Sequence, residues 1–270
     1  MPELPEMENY KNLLMQKIAG SVISNVQVNR EKSINVLPEI LIQNVQGSKV
    51  ISVQRRAKHL LFLLDNGHVL LLHLMLGGWM FFGKEADKPN RTIQIQLTFG
   101  LEHLFFIGLR LGYLHFYESK EEVNKELADL GPEPLERNFT FEVFRSLTEN
   151  KRGRLKTKLV DQKFISGIGN CYSDEICFQA KVLPTRSIEE INTSEMNLLY
   201  QSTQQVLKEA TSYGGYLENP FYKGDTLTGG YNEKCKVYDR VGENCIRCGT
   251  KIIKEMIASR KTFYCPNCQK

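Results

Sequence analysis

Four cysteines near the end of the chain constrain its folding more than any other feature. Cys245 and Cys248 form one Cys-x-x-Cys knuckle and Cys265 and Cys268 a second, with sixteen residues between them. Two such knuckles can supply four thiolates to one tetrahedral zinc. The alternative is two disulfides, which need an oxidising compartment. No secretory signal pattern opens the chain, so a reducing, cytoplasmic setting is expected and the metal reading is preferred. The remaining cysteines, Cys171, Cys177 and Cys235, read as small buried hydrophobes.

The other end carries chemistry of its own. Pro2-Glu3-Leu4-Pro5 follows the initiator Met1. Removal of Met1 would turn the ring nitrogen of Pro2 into a free secondary amine. Such an amine titrates at about 8, against about 10.4 for lysine. At neutral pH it is a ready nucleophile toward a carbonyl carbon and can form an iminium. Glu3 beside it can move protons. The plainer reading makes Pro2 a helix-start residue only. The cysteine module at the far end weighs for the chemical one.

Composition bounds the rest. The 270 residues, 41% of them hydrophobic, suffice for two domains and a small metal module. No apolar run approaches the length of a membrane span, which excludes a membrane-helix protein. The net charge of +4 is a weak pointer to nucleic acid. Local clusters say more: Arg55-Arg56-Ala57-Lys58, the run from Lys151 to Lys158, and Arg260-Lys261. Each taken singly reads as a solvated face. Together with a zinc module they point to a phosphate-binding surface.

Along the chain, Met7, Tyr10, Leu14 and Ile18 recur at helical spacing, with Pro5 in the first turn and Gly20 as the stop. Residues 59–64 and 68–74 flank Asp65-Asn66-Gly67 and predict a hairpin. Ile93, Ile95 and Leu97 alternate with Thr92, Gln94, Gln96 and Thr98, as in a strand with one polar face. Residues 104–107 and 113–117 predict further strands. Leu130-Gly131-Pro132-Glu133-Pro134-Leu135 is a stiff linker. Beyond it, helices are expected over 141–148, 155–164, 171–180 and 194–213. Residues 214–230 lack periodicity and read as a mobile loop.

These motifs together resemble the formamidopyrimidine-DNA glycosylase and endonuclease VIII family. The resemblance rests on five stretches, in order along nearly the whole chain. They are 2–6, 52–58, 130–135, 155–162 with 167–175, and 260–269. It implies an α+β multidomain fold: an N-terminal antiparallel β-sandwich flanked by helices, a helical domain with a helix-two-turn-helix motif, and a β-hairpin zinc finger. The expected domains are a catalytic one over 1–130, a DNA-binding one over 131–230, and a four-cysteine zinc finger over 231–270. The implied activity is base-excision repair on damaged double-stranded DNA, by a monomer with one structural zinc and no membrane partner. In the family the N-terminal proline attacks C1′ of the sugar of a flipped nucleotide, and β- and δ-elimination follow. By position Pro2 matches that nucleophile and Glu3 the acid/base. Lys58 matches the lysine of β-elimination and Arg260 the arginine of δ-elimination. Lys151, Lys156 and Asn170 match phosphate contacts, the last beside a helix N-terminus. Glu6 is expected to order the first helix. Glu175 reads equally as a structural carboxylate or a lesion contact. The alternative is a damaged-DNA or abasic-site binding protein that has lost the chemistry.

The chain departs from the family at three places. Family members of the formamidopyrimidine branch fill the space left by the flipped base with a methionine, an arginine and a phenylalanine. Met75 is the expected match for the first. The stretch 107–112 puts Leu109 at the arginine position, Leu111 at the phenylalanine position and Arg110 one place off. Residues 213–231 differ from the loop that caps 8-oxoguanine. Asn90-Arg91-Thr92 replaces a His-Asp-His pattern.

Overall fold

The structure, a computed structural model, describes residues 1–149 and 151–270. It divides into two compact units. One comprises Met1–Asp129 and Leu217–Gly230, the other Leu130–Tyr216 and Tyr231–Lys270. The segment 131–230, expected as one domain, is therefore parted at Leu217. Among the described residues no helix is long and apolar enough to cross a membrane.

The first unit opens with α1 (Leu4–Ile18), a short strand β1 (Asn25–Val28) and α2 (Pro38–Val45). The strands β2 (Val50–Arg56), β3 (His59–Leu64), β4 (Val69–His73), β5 (Trp79–Gly83), β6 (Ile93–Phe99), β7 (Glu102–Ile107) and β8 (Tyr113–Tyr117) follow, and α3 (Lys120–Glu126) closes the run. They build two four-stranded antiparallel sheets, β1-β6-β7-β5 and β2-β3-β4-β8. The sheets share one core. Phe62 of β3 meets Phe106 of β7 edge-on at 6.4 Å, and Leu60, Leu72, Leu97 and Leu104 are fully buried around them. The helix α1 lays Met7, Leu14 and Ile18 on the same core, as their spacing predicts.

Two expectations change here. The polar face of β6 is not solvent-exposed, since Gln94, Gln96 and Thr98 are all buried. Each is satisfied: Gln94 Oε1 accepts from the Leu109 N–H, and the Gln96 and Thr98 side chains bond to His103 Nδ1. The segment 217–230 is likewise a packed element rather than a loose loop. Phe221 is fully buried, its carbonyl accepts the Phe82 N–H at 2.6 Å, and its ring meets Tyr10 and Phe82. Asp225 ties the segment, accepting from the N–H groups of Phe221, Leu227 and Thr228. Asn9 of α1 then donates to Thr228 Oγ1.

The second unit contains α4 (Phe141–Thr148), α5 (Leu155–Leu159), α6 (Asn170–Ala180) and α7 (Thr193–Ser212), then the hairpin β9 (Ile253–Ile257) and β10 (Arg260–Tyr264). Helix α5 is half the expected length. Asp161 ends it, its carbonyl accepting the N–H groups of Phe164 and Ile165 while its side chain accepts that of Lys163. This makes the turns that separate α5 from α6. A cluster of Phe139, Phe141, Phe144 and Tyr200 joins α4 to α7.

Candidate active site and metal centre

In the first unit the groups expected to be catalytic are buried at the ends of rigid elements. Pro2 and Glu3 are buried at the head of α1, Glu3 with 1% of its surface exposed. Glu6, one turn on, reaches back and accepts the Glu3 backbone N–H at 2.7 Å. This is the helix-ordering role expected of Glu6, and it fixes the entry angle of the terminus. Lys58 is buried as well, in the two-residue turn of the β2–β3 hairpin. Ala57 takes a positive φ of 53° there, a strain that neighbouring contacts hold in place. The brace is Arg55, which donates to Glu8 of α1 at 2.7 Å and to the Ala57 carbonyl at 3.1 Å. Against the upward pull of burial, Lys11 and Arg55 together hold the Glu8 carboxyl below its usual range.

Beside Lys58 the rings of the cross-strand pair His59 and His73 meet tilted, with centroids 4.4 Å apart. Both Nδ1 atoms are buried, with no partner among the described residues. Burial pushes the two imidazoles down, to about 4 and about 3.

The loops 74–78 and 108–112 lie backbone to backbone. A Cβ on Gly108 would meet the Gly77 carbonyl oxygen at 2.2 Å, and one on Gly112 would meet those of His73 and Leu74 at 2.6 Å. Met75, the expected wedge, is half-buried with a φ of 52°. Its neighbour Leu76 is the protruding residue, 66% exposed. On the facing loop Leu111 is 64% exposed and Leu109 fully buried. Arg110 is exposed. Sequence reasoning missed Leu76; the Gly77-Gly78 pair after it was the available signal, since Gly77 with its φ of 83° and Gly78 against the Leu74 carbonyl make the tight turn on which Leu76 stands.

In the second unit Lys156 is the clear correction. Expected to grip a phosphate, it is fully buried, its Nζ bonded to Asp174 Oδ1 at 2.6 Å and to the Asn170 carbonyl at 2.8 Å. Asp174 Oδ2 accepts the Phe263 N–H of β10 at 3.1 Å. Burial pushes the Asp174 carboxyl up to about 7, with Lys156 opposing. Glu175, also buried, accepts the backbone N–H groups of Lys236, Val237 and Tyr238 at 2.8–3.1 Å. Its ambiguity thus resolves to a structural carboxylate. Burial raises its pKa while the three N–H groups pull the other way. Asn170 begins α6 after Gly169, and its Oδ1 is buried with no partner. Lys151 is exposed, beside Lys158 and Lys163 around a small cavity. Arg260 is exposed at the head of β10, where Ala258 and Ser259 make a turn with φ of 47° and 62°.

The four cysteines converge. The Sγ atoms of Cys245, Cys248, Cys265 and Cys268 all lie within 4.8 Å of one another. The Cys245–Cys268 and Cys248–Cys265 separations are 3.7 and 3.6 Å. A tetrahedral zinc with Zn–S bonds of about 2.3 Å requires sulfurs roughly 3.8 Å apart, so the quartet fits the ion. The Arg247 and Cys268 N–H groups point at Cys245 and Cys265 Sγ, both at 3.4 Å, and support the thiolates.

Three family descriptions match the chain in order: the Formamidopyrimidine-DNA glycosylase N-terminal domain over residues 1–113, the Formamidopyrimidine-DNA glycosylase H2TH domain over 130–219, and the zinc finger found in FPG and IleRS over 242–270. The formamidopyrimidine-DNA glycosylase of Listeria innocua is 35% identical across the full length of both chains. This chain belongs to the formamidopyrimidine-DNA glycosylase family. The Bacillus cereus member is 31% identical over 100% of this chain and 99% of its own. Among solved structures, the Lactococcus lactis enzyme in complex with abasic-site DNA superposes with a TM-score of 0.92 at 28% identity over 99% of each chain. Its complex with DNA containing N7-benzyl-Fapy-dG gives 0.92 at 27% identity over all of both chains. The α+β fold with two antiparallel sheets, a helix-two-turn-helix domain and a zinc finger is therefore that of the glycosylase family. The finger holds one structural zinc in its four-cysteine set, and the ion's contribution is to fold stability.

Proposed function

We propose that this glycosylase-family chain excises oxidised or ring-opened bases from damaged double-stranded DNA and then cleaves the strand as an AP lyase. It acts as a cytoplasmic monomer, with 1–130 supplying Pro2, Glu3 and Lys58, 131–230 most of the grip on DNA, and the finger 231–270 Arg260. The observation that carries this reading is the built N-terminus: Pro2 and Glu3 are buried, and Glu6 clasps the Glu3 N–H at 2.7 Å. Once Met1 is removed, burial favours the uncharged amine of Pro2 over its ammonium form. That amine attacks C1′ of the flipped nucleotide, and the base departs. Glu3 delivers a proton to the opening sugar. The resulting iminium acidifies the C2′ proton. Its loss expels the 3′ phosphate, and a second elimination expels the 5′ phosphate. Lys58 serves the first elimination and Arg260 the second.

The phosphate contacts are assigned to Lys151, Asn170 and Arg110. Lys156 acts through Asp174 on the hairpin rather than on DNA. Leu76 and Leu111 are the apolar wedge, in place of the expected Met75. Support comes from the relatives, which are named as glycosylases and have been solved on damaged DNA.

The deciding experiment is borohydride trapping on abasic-site duplex. Mass spectrometry of the reduced adduct should place the sugar remnant on Pro2. A processed protein that forms no adduct, or carries it on a lysine, refutes the assignment. A non-catalytic binding protein would hold the duplex yet trap nothing.

A further inference from the structure

The first unit contains a cavity of about 500 Å3 that none of Pro2, Glu3, Lys58 and Arg260 lines. Leu76, Trp79, Arg91, Gln94, Arg110 and Asn219 line it. Trp79 packs on a buried cluster of Phe81, Ile93, Phe105 and Ile107, which leaves its indole as a wall of the cavity. Gln94 is buried and already engaged through Oε1 with the Leu109 N–H, so it offers the cavity its amide donors. Arg91 and Arg110 are exposed at the rim, and among the described residues no carboxylate pairs with either.

Arg30 adds a third guanidinium, donating from Nη2 to the Arg110 carbonyl at 3.4 Å, while among the described residues its buried Nε has no partner. Three cationic groups with no ion-pair partner among the described residues make a field that favours an anion. Guanidinium groups recognise phosphate by paired hydrogen bonds. An indole face, in turn, stacks a nucleobase of any identity. A nucleotide carries both parts in one molecule.

We propose that this cavity is a subsite for an unpaired deoxynucleotide, with the base against Trp79 and the phosphate between Arg91 and Arg110. The inference deepens the DNA reading, which supplies the source of the nucleotide. A strand entered by Leu76 and Leu111 has a displaced nucleotide at hand, and Leu76 itself forms part of the cavity lip. Arg91 and Arg110 fall in the two stretches, 90–92 and 107–112, where the chain departs from the family pattern. The subsite is therefore a device of this chain's own residues.

Trp79 is the only tryptophan in the sequence, so intrinsic fluorescence reports on the cavity directly. The zinc-loaded full-length protein is titrated with deoxyguanosine and deoxycytidine 5′-monophosphates, then with deoxyribose 5-phosphate, deoxyguanosine and inorganic phosphate. Both nucleotides should quench Trp79 saturably, and each fragment should compete at least about tenfold more weakly. Arg91→Ala and Arg110→Ala should each raise the nucleotide Kd about tenfold. Both side chains are exposed, and circular dichroism verifies folding. Trp79→Phe with equilibrium dialysis separates stacking from the optical signal, and should retain phosphate-dependent binding at reduced affinity.

The proposal fails if quenching does not saturate, if inorganic phosphate competes as well as a nucleotide, or if the arginine variants bind like the parent. Borohydride trapping on the same preparations keeps the two readings apart. Trapping without nucleotide binding sinks the subsite alone. Nucleotide binding without trapping sinks the lyase reading alone.

Discussion

Replacing Lys156 by methionine removes the ammonium from a site where both partners are fully buried. At pH 7 the unfolded chain keeps Asp174 ionised, since its ordinary value is 3.8. In the folded variant the carboxyl has lost its partner at 2.6 Å, and burial already holds it near 7 with that partner present. The variant therefore folds with Asp174 protonated. Deleting one partner of a buried ion pair costs about 3–5 kcal/mol in general, and a loss of that size is expected here.

A carboxyl with a raised folded pKa lowers stability above its unfolded value and not below it. The parent shares this raised value, so both proteins should gain stability toward pH 5 and the deficit should change by less than about 1 kcal/mol. Urea unfolding followed by circular dichroism at both pH values measures this. Hydrogen exchange at the Phe263 amide, which donates to Asp174 Oδ2, localises it to β10. The double variant Lys156→Met/Asp174→Asn should recover most of the loss at pH 7. A deficit below about 1 kcal/mol at pH 7 would refute the buried-pair account.

The other expected outcomes concern the rest of the molecule. Glu3→Gln should slow base removal by about 10²-fold or more while slowing abasic-site cleavage less, as loss of a general acid implies; gel assays on both substrates decide, and equal effects would reject the role. Stripping the zinc with a strong chelator should open the hairpin and expose its basic residues to trypsin at Lys251, Lys254 and Arg260, with protection restored by added zinc; unchanged digestion would mean the four cysteines hold the finger without a metal. His59 and His73 contribute stability that is full above their unfolded value of 6.5 and is lost as pH falls toward about 4 and about 3. His73→Phe should therefore flatten the acid limb of the stability profile, and an unchanged limb would remove the histidines from it. Gly108→Ala should destabilise by more than about 2 kcal/mol, because φ there is 72° and the new Cβ meets the Gly77 carbonyl oxygen at 2.2 Å. Gly67→Ala, with φ of 88° but open space around it, should cost only about 1 kcal/mol; equal losses would show that the loop approach is not rigid.

The sequence made legible whatever depends on spacing along the chain. The cysteine knuckles, the period of α1, the Asn66-Gly67 hairpin and the helix α7 all have signals within a few residues of one another. It left illegible what depends on partners far away in sequence. Gln94 and Gln96 alternate with Ile93, Ile95 and Leu97 as if half-exposed, yet the polar face is covered and satisfied by Leu109 and His103. The segment 217–230 lacks periodicity because its order comes from Asp225 and from Phe221 inserting between Tyr10 and Phe82. Periodicity cannot reveal an element held by one tertiary insertion and an aperiodic side-chain turn.

The same distinction explains why the basic run from Lys151 to Lys158 misled. Charge density along a sequence says nothing of which side chain turns inward. In this run Lys151 faces solvent, while Lys156, at the second position of α5, faces α6 and meets Asp174. A lone lysine in that place would be expelled or neutralised, so the acid eighteen residues on is what makes its burial tolerable. Asp174 has a second obligation, the Phe263 amide, and Glu175 beside it holds three more from 236–238. Two adjacent carboxylates on one helix thereby fasten both the hairpin and the segment leading into it. The residues whose chemistry faces inward thus hold the framework on which Arg260 is presented, while those left facing out, Lys151 and Arg260, are the ones free to meet a phosphate.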